Sequence, residues 1–547
     1  MLIAAWSNFL GANTMVHPKR LADGLGVDAV NMRRGFADFR PLNAAQTVVT
    51  TGGATPILSA WRWGRGVASD TSGWAQWTVD VDVVRSLIAT DPAEEIHYTG
   101  DGAPKTTDTA IGLPAGPGPA SARTLGIPKP PSAMGAPTIL AAGSGSTEYR
   151  VYVDTFVNDK DRESAPGTAV SVSCNAASTM TLPTLSSVPS GNHGITLRRI
   201  YVSTDGGDFM RCAELLATAT SATDTGTRGA ILQSGGDDSK PAWLEPPSGL
   251  KGLISLWNSM LGGFVGKRYY VCEPGKAWAW PVEYGETLPD DIVATGKWLQ
   301  NWVILTNSQP YIVRGSGPLN MGWEPVPFMQ ACVAKRSALS LGNGVVWASP
   351  SGLCYVGTNG TSILTEGIFS PEQWQALAPT TMVTARVERY VACFFDNGGS
   401  AKGFLIDPLA PAQGVIFLSQ GAKGSFYDPI SDRLYLLDAG NTIKRWNNGA
   451  PLMAKWKSNV VRHRVPTAVA FGLVVADEPI EVTVTLWANT LQADGTRAWT
   501  QVFARTVLSG QPFTLEGGYD AQDFQVQIEA DGPVQAVMLA EDVDDLP

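Results

Sequence analysis

Histidine is the side chain best suited to general acid–base catalysis near neutral pH, and this sequence offers few of them. The chain of 547 residues contains four, at His17, His97, His193 and His463. They lie far apart and fall into different predicted structural units. A Ser-His-Asp triad can be assembled from distant positions, but the Gly-x-Ser-x-Gly elbow, the HExxH helix, the Walker A loop and a GxGxxG after a strand are absent. We therefore predict no catalytic residue, no cofactor site and no metal site.

Two motifs resemble parts of glycan-cleaving enzymes. Ser203–Phe209 partly matches the Asp-box of sialidase propellers, Ser-x-Asp-x-Gly-x-x-Trp, but Phe-Met stands where the motif would end in Trp. The Asp-Gly pair within it is a strong hairpin signal, so we predict a simple turn. Asp290 and Asp291 are two carboxylates in a Pro-rich turn. Neighbours in sequence seldom face one substrate across a cleft, so we predict solvated turn acids.

Two further clusters combine basic and aromatic side chains. Lys335-Arg336-Ser337 is suited to a phosphate contact, although an isolated basic pair between strands is more often a salt-bridged surface feature. Trp278-Ala279-Trp280-Pro281 is suited to stacking on a sugar ring. In a chain with 18 Trp residues, packing between parts of the protein or between subunits is the better interpretation.

The six cysteines show no metal-binding or redox spacing. None belongs to a CxxC pair, and most lie within apolar runs such as Tyr269–Cys272. We predict buried free thiols in a protein made in the cytoplasm. The first residues lack the basic flank and long apolar stretch of a signal peptide, and no stretch is predicted to insert into a membrane.

Composition predicts a large folded core made mostly of strands. Apolar residues form 44% of the chain and charged residues only 16%, with 58 Gly and 37 Pro to supply tight turns. The net charge is −10. No Lys or Arg follows Arg505, whereas many acids do: Glu516, Asp520, Asp523, Glu529, Asp531, Glu541, Asp542, Asp544 and Asp545. Tight DNA binding requires the opposite balance, so we exclude it.

Strand and turn patterns divide the chain into five segments. Residues 1–100 are predicted as N-terminal strands belonging to a propeller, 101–137 as a Pro-, Gly- and Ala-rich linker, and 138–245 as an inserted fibronectin- or immunoglobulin-like sandwich. In 250–447, clusters of strands recur at about forty to forty-five residues, the period of a propeller blade. Residues 455–547 are predicted as a C-terminal β-sandwich unit, in which Val482, Val484 and Leu486 share one face. The fold class is therefore mainly β. The clearest helix signal is Ser370-Pro371, an N-cap followed by Pro.

Several motifs together resemble a known family. They are Pro246-Pro247 with Gly249-Leu250, Trp257–Phe264, Ala277–Pro281, Leu305–Gly315, Cys332–Ser337, Ala348–Leu353, Leu364–Glu366 with Trp374, and Pro512–Leu515 with Val537–Glu541. The match covers about residue 245 to the end, together with the segment from Asn31 to Leu42. These motifs resemble the tail nozzle or tail tubular proteins of podovirus-type bacteriophages.

The resemblance implies a structural protein of the virion tail. It implies a ring of six identical subunits through which the genome passes during ejection, without tight DNA binding. It also implies contacts with the tail adaptor and with fibres or spikes, synthesis in the host cytoplasm, and no catalytic residues. The alternative is a glycan-binding or glycan-cleaving propeller of the adsorption apparatus, which would need a deep cleft with paired carboxylates and exposed Trp.

Overall fold

The computed structural model describes residues 2–33, 38–51, 56–64, 69–114, 116, 118–235, 242–399, 402–492 and 495–547. Part of the N-terminal motif (34–37), part of the linker (115 and 117) and the end of the 138–245 segment (236–241) lie outside this range. Short strands dominate, and the fold class is mainly β, as predicted. Within the described residues the helices are two short α-helices, α1 (Thr109–Gly112) and α2 (Pro371–Ala376), and 3₁₀ turns at Pro18–Arg20, Pro318–Asn320, Lys335–Ser337, Pro379–Thr381, Pro411–Gln413 and Val543–Asp545.

The strands of the first half follow in chain order. Residues up to 124 form β1 (Leu2–Trp6), β2 (Gly26–Val30), β3 (Gln46–Thr50), β4 (Ser59–Arg62), β5 (Trp74–Trp77), β6 (Asp82–Arg85), β7 (Ile96–Thr99), β8 (Lys105–Thr107) and β9 (Arg123–Thr124). The next segment forms β10 (Thr138–Ala141), β11 (Thr147–Asn158), β12 (Val170–Asn175), β13 (Thr179–Leu182), β14 (Ile195–Thr204), β15 (Met210–Leu216) and β16 (Ala222–Asp224). Then come β17 (Lys251–Ser255), β18 (Leu261–Val265), β19 (Arg268–Val271), β20 (Ile292–Trp298), β21 (Asn301–Thr306), β22 (Pro310–Arg314) and β23 (Gly322–Pro325).

The second half continues the series. It forms β24 (Leu339–Ser340), β25 (Gly344–Ala348), β26 (Leu353–Gly357), β27 (Gly360–Ile363), β28 (Val383–Val387), β29 (Tyr390–Phe394), β30 (Gly403–Ile406), β31 (Ile416–Leu418), β32 (Gly424–Asp428), β33 (Arg433–Leu437) and β34 (Thr442–Arg445). The last strands are β35 (Ala454–Ser458), β36 (Val461–Thr467), β37 (Phe471–Val475), β38 (Glu481–Leu491), β39 (Arg497–Leu508), β40 (Phe513–Thr514), β41 (Ala521–Ala530) and β42 (Ala536–Ala540).

The chain forms two compact units. Unit 1 contains Met1–Ala60, Gly64–Ser72 and Gln330–Pro547, and unit 2 contains Trp61–Trp63 and Gly73–Met329. The first hundred residues therefore contribute to both units. Each unit contains small antiparallel sheets whose strands follow one another in sequence, which is the arrangement of propeller blades.

Unit 1 contains three such blade-like groups. β24–β27 form a four-stranded sheet, and β32–β34 form another whose fourth strand is β3 from the N-terminal segment. The third group, β28–β31, is extended by β2, β35, β41, β38 and β39 into a sheet of ten strands that also includes β36. Residues 455–547 therefore share a sheet with the blade-like strands. The predicted inward face is confirmed, because Val484 and Leu486 lie fully buried opposite Ile528 and Val526.

Unit 2 combines blade-like sheets with a sandwich. β6–β9 and β20–β23 each form a four-stranded antiparallel sheet, and β17–β19 form a three-stranded one. Residues predicted as linker supply β8, β9 and α1. The sandwich has one sheet in the order β12-β11-β14-β15 and another in the order β10-β13-β16. Its core is formed by Tyr152 and Ile200 from the first sheet and Met180 and Leu182 from the second.

The predicted helix signal is confirmed at α2. The Ser370 side chain accepts from the backbone N–H of Gln373, and the Gln373 side chain accepts in return from the backbone N–H of Ser370. This reciprocal capping satisfies two backbone donors that a helix start would otherwise leave unpaired. Pro371 occupies the first turn, where its missing N–H costs nothing.

Candidate functional site

A compact group of charged side chains in unit 2 joins the sandwich to the β6–β9 sheet. We call it the ionic junction and define it by Glu95, His97, Thr106, Asp108, Lys160 and Arg162. Three of its side chains are placed by strands, since Glu95 precedes β7, His97 lies within β7 and Thr106 lies within the adjacent β8. Lys160 and Arg162 lie in the polar turn that follows β11 of the sandwich.

Glu95 is the centre of the ionic junction and is only 3% exposed. One of its oxygens accepts from Thr106 Oγ1 at 3.0 Å, from an Arg162 nitrogen at 2.9 Å and from Lys160 Nζ at 3.1 Å. The other accepts from the second terminal nitrogen of Arg162 at 2.5 Å. Lys160 also donates to Asp108 at 2.6 Å. The sandwich turn thus contributes two cations, and the sheet contributes two carboxylates that match them.

Burial and neighbouring charges shift the pKa values of Glu95 and His97. Burial opposes the charge on Glu95, but the hydrogen bond from Arg162 and the charges of His97, Arg162 and Lys160 outweigh it and lower its pKa to about 2. For His97, burial dominates and lowers the pKa to about 4, although Glu95 opposes that change. At pH 7 Glu95 is therefore an anion and His97 is neutral. Neither is placed to exchange a proton with a substrate near neutrality.

An aromatic contact extends the same turn to a third part of unit 2. The Arg162 guanidinium lies 5.1 Å from the ring centroid of Trp278, and Trp278 Nε1 donates to the carbonyl of Glu163 at 3.2 Å. Trp278 also packs edge-on against Trp243, with ring centroids 6.5 Å apart. The ring faces a cation and another indole of its own chain. This packing inside the protein agrees with our preferred interpretation of the Trp278–Pro281 motif.

A second buried ion pair lies inside the sandwich. Arg198 and Asp154 are fully buried, 3.4 Å apart at their closest charged atoms, and the Arg198 guanidinium lies 4.8 Å from the Phe156 ring centroid. Burial raises the pKa of Asp154 to about 6, although the charge of Arg198 opposes this. Burial also lowers the pKa of Arg198. The pair holds β11 to β14 across the sheet.

The four histidines each have local partners and are not hydrogen-bonded to one another. His17 caps the turn at Pro18–Arg20, and His463 Nδ1 lies 2.8 Å from the carbonyl of Val465. His193 Nδ1 lies 2.7 Å from Thr124 Oγ1. Only His97 is fully enclosed, at 1% exposure. The described part of the chain shows no group of three or more His, Cys, Asp or Glu side chains arranged to hold a metal ion.

The two sugar-enzyme motifs form turns, as predicted. Asp205 and Gly206 both have positive φ, +49° and +80°, and the N–H of Gly207 donates to the carbonyl of Thr204 at 3.0 Å. This tight turn opens the five-residue connection, residues 205–209, between β14 and β15. Asp290 accepts a hydrogen bond from the Tyr311 hydroxyl at 2.7 Å, and its neighbour Asp291 is exposed.

The basic cluster has a structural role that sequence reasoning did not anticipate. Arg336 donates to the backbone carbonyls of Leu58 and Lys423, and Ser337 is buried and donates to the carbonyl of Ala334. The guanidinium thus ties three separate segments of unit 1 together. The sequence did not predict these hydrogen bonds to backbone carbonyls.

The prediction of free thiols is confirmed. All six cysteines are unpaired, and all except the half-buried Cys212 are buried. Burial raises the pKa of Cys272, Cys332 and Cys354 to about 12 in each case. They are therefore thiols rather than reactive thiolates at neutral pH.

The ionic junction was missed because its parts are ordinary in sequence. The turn after β11 has the composition of a solvated loop, and His97 stands within a strand among β-forming residues. One signal was present, since the short run Asp159–Glu163 alternates in charge directly after a strand whose second half is buried on both faces. Such a run at the end of a buried strand indicates ionic contacts with a neighbouring element.

Comparisons with known proteins give the chain no family. No protein-family model matches the sequence, and no curated protein matches it. Among solved structures, BamB from Moraxella catarrhalis aligns with 61% of this chain and 94% of its own, at 10% identity and a TM-score of 0.23. The extracellular domain of the putative hybrid two component system BT3049 from B. thetaiotaomicron aligns with 57% of this chain and 46% of its own, also at 10% identity and a TM-score of 0.23.

Among the described residues, no helix has both the length and the apolar character needed to cross a membrane.

Proposed function

We propose that this chain is a structural protein of a bacteriophage tail. Copies of it form a ring or nozzle, with six subunits, through which the genome is ejected and to which the adaptor and fibres or other tail proteins bind. The sequence resemblance over residues 245–547 suggests this role, and a mainly β chain with blade-like sheets suits a rigid ring. A function of this kind resides in shape and charge rather than in a reacting group.

The ionic junction is the observation that best supports a mechanical role. Two cations from the sandwich turn meet two carboxylates of the β6–β9 sheet, and Glu95 keeps its charge because its pKa is about 2. Buried charge pairs with full hydrogen bonding fix one geometry, since any displacement leaves a charge unpaired. The ionic junction therefore holds the sandwich in a fixed orientation on the β6–β9 sheet, which a surface that binds other tail proteins requires.

The charge balance suits a conduit for DNA. A channel must not hold its cargo, and acids on its wall repel phosphate with a strength that each copy in a ring multiplies. The chain carries 50 Asp and Glu against 40 Lys and Arg. We expect acids to outnumber basic residues on the wall of the channel in the assembled ring. A wall lined mainly by Arg and Lys would contradict this part of the proposal.

The direct test is the mass and symmetry of the purified full-length protein. We expect a closed six-fold ring in electron-microscope class averages and a matching particle mass in solution. A protein that stays monomeric at high concentration, or that forms open filaments, would refute the ring. Incubation with capsular and lipopolysaccharide glycans is the matched control, since cleavage or tight binding there would favour the adsorption enzyme.

A further inference from the structure

The strand β39 at the end of the ten-stranded sheet has an open edge. It pairs with β38 over its whole length, from Glu481 opposite Leu508 to Leu491 opposite Arg497. The described residues provide no backbone partner on its other side. From Arg497 to Gln501 every side chain is exposed, so the layer that covers β38 stops short of β39. Such an edge presents unpaired N–H and C=O groups and favours the addition of another chain.

The outward face of this hairpin carries three exposed apolar side chains beside the open edge. Leu491, Trp499 and Leu508 are 58%, 41% and 43% exposed. The pairing register places all three on the sheet face opposite the buried Val484 and Leu486. Leu491 and Trp499 are diagonal neighbours on this face, whereas Leu508 lies at the other end of β39. Neighbouring apolar groups beside an open edge are typical of an interaction surface rather than of a freely solvated strand.

The charges on β39 are all of one sign. Arg497 and Arg505 are its only charged residues. Arg497 donates to the carbonyl of Asn489 at 3.0 Å and forms no ion pair within the described range. Arg505 approaches Glu516 at 3.3 Å, with both side chains mostly exposed. If two copies of β39 paired antiparallel about Gln501, the middle of its exposed stretch between the two arginines, Arg497 would face Arg505, so the charge pattern opposes symmetric pairing in that register.

The same chain carries a complementary segment elsewhere on its surface. Glu541–Pro547 follows β42, and its Asp542 and Asp544 are exposed with no ion pair to a described residue. β42 lies between β1 and β37, whereas Phe513 of β40, at the opposite end of that sheet, stacks on Phe503 of β39 at 5.5 Å. The basic edge and the acidic segment are therefore separate surfaces, as a head-to-tail contact between identical subunits requires.

We infer that the open edge of β39 binds the acidic segment Glu541–Pro547 of a second copy of this chain. Arg497 and Arg505 pair with the carboxylates, while Leu491 and Trp499 become buried. The inference rests on the proposed function in one respect: the same contact, repeated from subunit to subunit in one direction, can close a ring. The contact itself requires nothing more than a second copy.

A charge exchange in the full-length protein tests the contact. The hairpin variant is Arg497→Glu with Arg505→Glu, the tail variant is Asp542→Lys with Asp544→Lys, and the exchanged protein carries all four changes. Arg464→Glu is the matched control, because Arg464 is an exposed arginine of unit 1 that lies outside β39. Sedimentation velocity at several protein and salt concentrations gives the association constant, and circular dichroism confirms that each variant is folded.

We expect the hairpin and tail variants each to associate roughly tenfold more weakly than the wild type, and the exchanged protein to recover most of that loss. The control should match the wild type. Association of the hairpin variant with unchanged strength would overturn the inference, as would a monomeric wild type. Stronger association of the single variant Arg505→Glu would also overturn it, because the introduced carboxylate facing Arg497 of another copy would indicate symmetric β39 pairing. An assembly that depends on these charges but is not a ring would refute the proposed function and leave the contact standing.

Discussion

Replacing His97 by Asn should remove a defined part of the pH dependence of stability. His97 is buried in β7, and its Nδ1 lies 3.0 Å from Thr106 Oγ1. Its pKa falls from 6.5 to about 4 because burial excludes the charged form, and the charges of Arg162 and Lys160 add to this. Glu95 and Asp91 act in the opposite direction and are too weak to restore it.

The magnitude follows from the two pKa values. A change from 6.5 to about 4 corresponds to about 3 kcal/mol at about 1.4 kcal/mol per pH unit. Because the folded value is the lower one, the unfolded chain takes up the proton first as the pH falls. The contribution of neutral His97 to the free energy of unfolding is complete above about pH 6.5. It declines as the pH falls from about 6.5 to about 4, and it is lost below about pH 4.

The assay reports on unit 2 within the full-length protein. Urea unfolding is followed at pH 7, 5.5 and 4 by hydrogen exchange of the peptide that spans β7 and β8. Between pH 7 and 4 the wild type should lose about 3 kcal/mol more than His97→Asn, since the asparagine cannot be charged. His463→Asn, at a half-buried histidine of unit 1, is the matched control for the chemical change from histidine to asparagine. Equal slopes for the wild type and His97→Asn would refute the burial argument.

Three further outcomes are expected. Glu95→Gln should destabilise unit 2 by about 3–5 kcal/mol in urea unfolding, because Arg162 loses its charged partner. Replacing Glu95 by Leu and Arg162 by Met together should lower the free energy of unfolding much less, because no unpaired charge is left buried. Equal losses for the single and the double variant would show that the ion pair is not the cause. Gly414→Ala should lower the Tm more than Gly360→Ala, since both have positive φ but only the Cβ at residue 414 would lie 2.5 Å from a backbone oxygen, that of Ala12. In the folded protein a disulfide reagent at pH 8 should modify at most the half-buried thiol Cys212, and all six cysteines only after unfolding, because burial raises the thiol pKa values. Rapid labelling of several thiols would show that the core is open.

Local features of the fold could be predicted from sequence because their causes are local. The Ser370-Pro371 start of α2 and the Asp205-Gly206 turn each depend on a few neighbouring side chains. The inward face of the C-terminal strands could also be predicted, since strand periodicity alone separates Val484 and Leu486 from their neighbours. These features require no knowledge of what lies across the core.

Pairings between distant segments could not be predicted in the same way. β1 pairs with β42, β2 with β35 and β3 with β34, and nothing in the composition of these strands names the partner. The ionic junction is similar, because the pKa of Glu95 depends on two cations from another domain-sized segment. Sequence gives the residue types, and the three-dimensional arrangement decides which of them meet.

The pairing of the first strands with the last ones has a consequence for how the protein is made. Lys19 and Asp523, joined by an ion pair, are separated by 504 positions. At about 5–20 residues per second, a ribosome needs roughly half a minute to two minutes to supply the partner. During that time the early strands of unit 1 have unpaired edges, because their partners are not yet synthesised. Unit 2 is almost continuous in sequence, from Gly73 to Met329, so its whole chain is available as soon as Met329 has been added. Unit 2 should therefore fold on the nascent chain and unit 1 only after synthesis is complete, when premature contact between neighbouring copies is the chief hazard.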